Sequence, residues 1–219
     1  MGQGRCPVTA PTLFDTEVPA ATTAAGPRPL NIPTVYGLDL SLTSTGISDG
    51  ATADALIPGS RTGHDRLEFH RRTIRACIPD DTSLVVIEGV AMSVGYRPGV
   101  EEMTYLRGLI RHDLWRRRIP FAICPPQHRI IYACGVANPA KDHPASRRKT
   151  IAKGMVRDAV IERYGVPCEG RGRYDQADAT ILAAMGLHWL GYPLVVMPDT
   201  HRRALNGVTW PENLPAVAR

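Results

Sequence analysis

The sequence predicts an α/β fold, a sheet covered by helices, and three observations carry that expectation. The first is Ser83-Leu-Val-Val-Ile-Glu88. Four consecutive apolar residues read as a strand buried on both faces, as in the centre of a parallel sheet. The second is Val35-Tyr-Gly-Leu-Asp39, where Val35, Tyr36 and Leu38 suit a pleated, half-buried surface. The third is a set of longer segments with helical apolar spacing, interleaved with the strands.

Residues 1–33 are rich in Pro, Ala, Thr and Gly without periodicity, and are expected to be a disordered tail. Met1-Gly2 begins like a myristoylation signal, but Cys6 stands where Ser or Thr is wanted. Thr12-Leu13-Phe14-Asp15 loosely resembles the peptide by which DNA enzymes dock on sliding clamps. A meaningless apolar pair accounts for it better.

After the first strand, Thr45-Gly-Ile-Ser48 reads as a second strand joined by a Ser/Thr turn, and Ala53 to Ile57 as a third, ended by Pro58-Gly59. Gly63 to Cys77 has helical spacing through Leu67, His70, Ile74 and Cys77, with an Arg-rich polar face. Glu88 closes the fourth strand. A Gly/Tyr/Pro loop leads to a helix from about Val100 to Arg118, with Met103, Leu106, Leu109, Ile110 and Leu114 as its apolar positions. Phe121 to Cys124 is a fifth strand. Residues 127–145 are expected to be an irregular connection, then Ser146 to cap a basic helix reaching Tyr164, with Gly165 past its end. Tyr174 to His188 is a helix of small and apolar residues. Beyond residue 190 the expectation is a last strand, Leu194 to Met197, and an irregular tail to residue 219.

A chain of 219 residues with 43% hydrophobic content holds one good core plus tails. The net charge of +5 modestly favours a polyanionic partner. The five cysteines are scattered and form no Cys-x-x-Cys pair, which argues against a zinc ribbon and for a reducing compartment. Cys134 with His143, or Cys124 with His128, have the residue types of metal ligands, but isolated core or surface residues account for them better. No apolar run spans a membrane and no signal-peptide core stands at the N-terminus, so a cytoplasmic location is expected.

The chemistry is in four carboxylates. Asp39 interrupts an apolar strand, where a carboxylate is costly unless paired, hydrogen-bonded or metal-bound. It shares a strand face with Val35 and Gly37, and Gly37 leaves room for something to approach. Glu88 ends the best strand, and the carboxyl ends of strands are where open α/β sheets bind ligands. Asp175 and Asp178 stand at i and i+3 in the first turns of the last helix. Capping explains Asp175; it explains Asp178 less well, in an otherwise apolar helix. Like charges a few Å apart raise one another's pKa, and divalent cations resolve the conflict. Oxygen-only donors select Mg²⁺ or Mn²⁺ over Zn²⁺. Two such ions about 3.5–4 Å apart can clamp the attacking and leaving oxygens of a phosphodiester.

At this point the chain resembles a known family. Gly37-Leu-Asp39 with Thr45-Gly46, then Val85-Val-Ile-Glu88, then Asp175-Gln-Ala-Asp-Ala179, follow the order and spacing of the RuvC-like Holliday-junction resolvases of the RNase H-like nuclease superfamily. The resemblance covers about residues 34–190. It implies an RNase H-like mixed five-stranded sheet flanked by helices, a homodimer, and paired symmetric nicks in branched DNA, a four-way junction. It implies two Mg²⁺ or Mn²⁺ ions, with Asp39 bridging them, Glu88 holding one, and Asp178 with Asp175 the other. It also implies basic residues near the scissile phosphate, where Lys141 matches and Arg129 matches less closely. Arg147, Arg148 and Lys149 add positive charge for DNA.

Three departures stand out. Leu40-Ser41 replaces the family's Pro-Gly after the first Asp. Ala91 stands where the family commonly has an aromatic wedge, leaving Tyr96 as the nearest aromatic substitute and Met92 as the apolar one. The N-terminal tail and the segment beyond residue 190 are additions. The Ala-, Arg- and Pro-rich composition suggests a bacterium or its phage.

The runner-up is an RNase H-like nuclease acting on flaps, forks or RNA–DNA hybrids, which would use the same carboxylates. Asp39-Leu-Ser-Leu-Thr43 also resembles the first phosphate loop of actin-like ATPases and sugar kinases, but those need two such domains. A non-catalytic junction-binding protein would need a lost carboxylate, and all four are present.

Overall fold

The computed structural model describes residues 32–90 and 99–212. The tail with Leu13 and Phe14, Ala91 at the wedge position, the wedge candidates Tyr96 and Met92, and the last seven residues lie outside the described residues.

Five strands form one mixed sheet: β1 Val35–Asp39, β2 Thr45–Ser48, β3 Ala53–Leu56, β4 Leu84–Glu88 and β5 Phe121–Cys124. Their order is β3-β2-β1-β4-β5. β1, β2 and β3 pair antiparallel through short turns, whereas β1, β4 and β5 pair parallel through helical crossovers. The all-apolar β4 is therefore central and parallel, with every residue from Leu84 to Ile87 fully buried. The turn after β1 is closed by side chains. Ser41 donates its backbone N–H to Thr45 Oγ1 at 3.2 Å, and the Thr45 hydroxyl donates to the Ser41 carbonyl at 3.0 Å. Ser41 and Thr45 thus shape the turn that holds Leu40-Ser41 in place of Pro-Gly.

Alternation of side chains sorts the sheet into two faces. Tyr36, Leu38, Val85 and Ile87 face helices α1 Gly63–Cys77 and α2 Val100–Arg116. Val35, Leu84, Val86, Ala122 and Cys124 face the other layer. That layer holds α3 Pro126–Cys134, α4 Ala145–Tyr164 and α5 Arg173–Trp189. α5 lies directly along the sheet. A Cβ added at Gly37 would stand 2.0 Å from the Ala179 carbonyl oxygen, and one at Gly46 would stand 1.9 Å from that of Asp175. The room beside Asp39 is filled by the backbone of this helix.

The structure corrects three local expectations. The connection expected over residues 127–145 begins as helix α3. Pro126 sits in its first turn and Gly135, at φ 77°, ends it in the left-handed conformation, the start-and-stop asymmetry that favours a helix. Ser146 does not cap α4. Pro144 precedes that helix and no side chain caps it. Leu194 to Met197 form no strand; instead α6 Asp199–Arg202 and a 3-10 turn, Arg203–Gly207, follow. Met197, Ala204 and Val208 are buried in the α3–α5 core. An isolated bridge pairs Thr209 with Ile123, so the sheet edge at β5 is partly covered by this segment rather than by a sixth strand. No helix among the described residues is long and apolar enough to cross a membrane.

Candidate functional site

Asp39 and Glu88 stand one step beyond Leu38 and Ile87, the last pair of the parallel β1–β4 ladder. Both share the side-chain parity of the α5 face. The two carboxyls are close enough to share a hydrogen bond. Gly37 and Gly46 let α5 lie against β1 and β2, and this delivers Asp178, on the second turn of α5, to the same place. Asp39 is 8% exposed and Asp178 3%.

A guanidinium completes the cluster. Arg129, on the buried side of α3, donates from Nε to Glu88 Oε1 at 2.7 Å and from Nη1 to Asp178 Oδ1. Its side chain is 8% exposed. A buried charge is tolerable when it is paired and hydrogen-bonded, here by a guanidinium that bridges two carboxylates.

Burial dominates the electrostatics. It pushes Asp39 well above the usual carboxylate range, and the charges of Glu88 and Asp178 push the same way. Burial also raises Asp178, to about 7, against the opposing pull of Arg129. At Arg129 burial disfavours the charge, but Asp178, Glu88 and Asp39 outweigh it, and its pKa lies above the ordinary arginine value.

The structure therefore brings Asp39, Glu88 and Asp178 together, with Asp175 at the rim. Lys153 of α4 lies 4.0 Å from the Asp175 carboxylate and also over the ring of Tyr174. Lys141 is exposed in the turn between α3 and α4 and forms no ion pair among the described residues. Arg147, Arg148 and Lys149 are exposed on the first turns of α4. Arg129, expected to be a DNA-facing cation, is instead buried among the acids.

Sequence reasoning missed that placement, and the places of three further residues, Lys153, Arg107 and Arg111. Lys153 was read only as part of a basic helix. Arg107 on α2 feels the charges of Glu88 and Asp39, and Arg111 lies close enough to feel Arg107. The Nε atoms of both are buried without a hydrogen-bond partner among the described residues. Their spacing of four on one helix was the available signal.

The donor set suits a hard divalent ion, since it is all carboxylate oxygen. Among the described residues, however, no group of three acid, His or Cys side chains is arranged to hold an ion. The Arg129 guanidinium fills the space between Glu88 and Asp178.

No protein-family model and no curated protein matches the chain. Solved structures do. RuvC of Thermus thermophilus is 16% identical over 73% of this chain and 97% of that one, with a TM-score of 0.47. T. thermophilus RuvC in complex with Holliday junction substrate is 15% identical with the same coverages and a TM-score of 0.50. The sheet order, the crossovers and the helix laid across β1 and β2 are thus those of a RuvC-like, RNase H-like α/β fold.

Proposed function

We propose that the chain is a metal-dependent, structure-selective endodeoxyribonuclease that resolves Holliday junctions by paired symmetric nicks. The observation that carries this reading is the convergence of Asp39, Glu88 and Asp178 at the carboxyl ends of adjacent parallel strands of a RuvC-like fold. Two divalent ions, Mg²⁺ or Mn²⁺, would supply the positive charge that activates a water and stabilises the leaving 3′-oxygen. Asp39, whose carboxyl feels the charges of both other acids, would help to hold both ions. Glu88 serves one side and Asp178, with Asp175, the other. Burial of these acids makes them strong ligands for a cation and poor hosts for unpaired charge.

The chain's own cations serve the phosphates. Arg107 flanks the carboxylates on one side, with Arg111 next to it, and Lys153 flanks them on another. Lys141, Arg147, Arg148 and Lys149 offer exposed charge beyond them. Such contacts position a backbone without reading bases.

Two coordinated nicks on a two-fold junction call for a two-fold dimer. The sequence points to the helix from Val100 as the interface, with Leu106, Leu109 and Ile110 as contacts, but Leu106 and Ile110 are buried in the monomer core. The open face of α2 carries Tyr105 and Trp115, 56% and 68% exposed, with Leu109 and the His112 ring stacked near Trp115. This face is the proposed interface.

Labelled four-way junction, flap, duplex and RNA–DNA hybrid, incubated side by side with Mg²⁺ or Mn²⁺, test the reading. Preferential paired nicking of the junction is expected, abolished in Asp39→Asn, Glu88→Gln and Asp178→Asn, with junction binding retained. Wild-type cleavage by Asp39→Asn would remove the site assignment. Preference for the flap or hybrid would move the protein to that substrate class.

A further inference from the structure

Arg129 stands where the proposed chemistry wants a metal ion. Its fork spans Glu88 and Asp178, with Nε 2.7 Å from Glu88 Oε1 and Nη1 bonded to Asp178 Oδ1. Asp39 feels its charge from the same centre. A guanidinium is the one protein cation that is planar, permanently charged and able to bridge two carboxylates at once. Without it, three carboxyl groups would share a site with no positive charge inside it.

The helix that carries Arg129 is braced on its outer side. The Gly207 backbone packs so closely on His128 that an added Cβ would lie 1.8 Å from the ring. His128 Nδ1 is 3.0 Å from the Ala204 carbonyl, and His201 Nδ1 is 2.8 Å from that of Tyr132. Arg163 of α4 donates to the Ala133 carbonyl at 2.6 Å, and Arg203 to that of Gly135 at 3.1 Å. The segment beyond residue 190 therefore clamps α3 in place. If the cation between the acids moves, it moves by rotation of the Arg129 side chain and not by shift of the helix.

We propose that Arg129 is a built-in counter-ion occupying the position of a divalent ion between Glu88 and Asp178, so that metal enters by exchange with the guanidinium. This rests on the metal-dependent reading above. An ion that takes the Glu88 Oε1 and Asp178 Oδ1 atoms now bonded to Arg129 must displace the guanidinium from them, and the two cations repel at that distance. The affinity of the site for metal is therefore set by competition with a residue of the same chain. The metal-free protein keeps its acids neutralised and folded, and an ion binds only where it outcompetes a pre-organised guanidinium.

The test is direct metal binding by the full chain, measured by calorimetry or by the loss of free Mn²⁺ signal in electron paramagnetic resonance. Arg129→Gln removes the competing charge. It is expected to bind Mn²⁺ about tenfold more tightly, or better, than wild type, because no charge of the chain then competes for the same oxygens. Arg129→Lys keeps a charge that reaches only one carboxylate, and is expected to fall between. Thermal unfolding of metal-free Arg129→Gln should begin lower than wild type and recover when Mn²⁺ is added. Should that variant fail to fold, the wild type carries the test by nuclear magnetic resonance. The Arg129 Nε–H, protected from exchange in the metal-free protein, is expected to lose protection at saturating Mg²⁺. Equal Mn²⁺ affinity in Arg129→Gln and wild type, or unchanged Nε–H protection with Mg²⁺ bound, overturns the exchange while leaving the metal site standing. No Mn²⁺ binding by either protein at millimolar concentration overturns both the metal site and the exchange.

Discussion

The two faces of the sheet are built by different rules. Toward α1 and α2, large side chains meet large side chains. Leu38 and Ile87 pack against Leu106, Ile110 and Leu114, all 0–1% exposed. Toward α5, backbone meets backbone. Gly37 and Gly46 touch main-chain atoms of the helix, while Gly186 of the helix lets the Val35, Val86 and Leu84 side chains reach its backbone. α5 itself is rich in Ala: 177, 179, 183 and 184 are all buried. Side-chain packing tolerates repacking, because rotamers can adjust. Backbone contact has no such slack. The face that must hold Asp178 against Asp39 is thus the face with the least freedom to shift, while the other is cover.

The sharpest way to break this contrast is to put a side chain where the backbones touch. Gly37→Val drives its Cβ into the Ala179 carbonyl, for which no rotamer offers relief. A stability loss above about 4 kcal/mol is expected in denaturant unfolding, with any folded fraction unable to nick. A mild, activity-neutral Gly37→Val would mean that α5 floats on the sheet, and the contrast would fall.

Leu106→Ala on the opposite face is expected to cost about 2–5 kcal/mol, the range for truncating a buried leucine. The important outcome is the separation. At temperatures where Leu106→Ala remains folded, its nicking rate should match wild type, because α2's buried stripe does not position the acids. A large rate loss in the folded variant would tie the two faces together.

His70 sharpens the comparison at the α1 layer. It is fully buried, its Nε2 is 3.5 Å from the Leu42 carbonyl, and its Nδ1 has no partner among the described residues. Burial lowers its pKa, against the weaker opposing effect of the Leu42 carbonyl, and the nearby Arg66 adds to the lowering. The folded state therefore binds the proton more weakly than the unfolded state. That stability is fully present above the unfolded pKa of about 6.5 and is lost as pH falls from there through the folded pKa. Thermal melts from pH 7 to pH 5 should show a decline that is smaller in His70→Gln. Equal slopes in the two proteins would show that His70 is not the group responsible.

The smallest effect on the monomer is expected at Trp115. Its side chain is 68% exposed, and Trp115→Ser should change monomer stability by less than about 0.5 kcal/mol. In sedimentation the same variant should weaken dimerisation, since an exposed aromatic at the centre of an interface carries much of its energy. A dimer unaffected by Trp115→Ser moves the interface off this face of α2.

Much of the framework was legible in the chain. β1, β2, β4 and β5 and helices α1, α2 and α5 lie where apolar periodicity puts them, because that periodicity records which face of each element is buried. The acids were legible for a related reason: a carboxylate inside an apolar strand or helix conflicts with its neighbours, and the conflict is visible locally. The α3 helix was missed although Pro126 and Gly135 mark its ends, because its short apolar stripe is shared with Arg129, a residue that ordinarily signals exposure.

What the sequence determined by itself was therefore most of the elements and which acids stand in otherwise apolar ones. The tertiary structure alone decided what stands beside them. Gly37 announced close approach but not by what; the answer was the Ala179 carbonyl, far along the chain. Arg129 announced a charge but not its partners, which lie 41 and 49 residues away at Glu88 and Asp178. Local pattern reports whether a side chain is buried, because burial follows the period of its own helix or strand. Which opposite charge neutralises it depends on how separate elements meet, and that is set by the packing of α3 and α5 on the sheet.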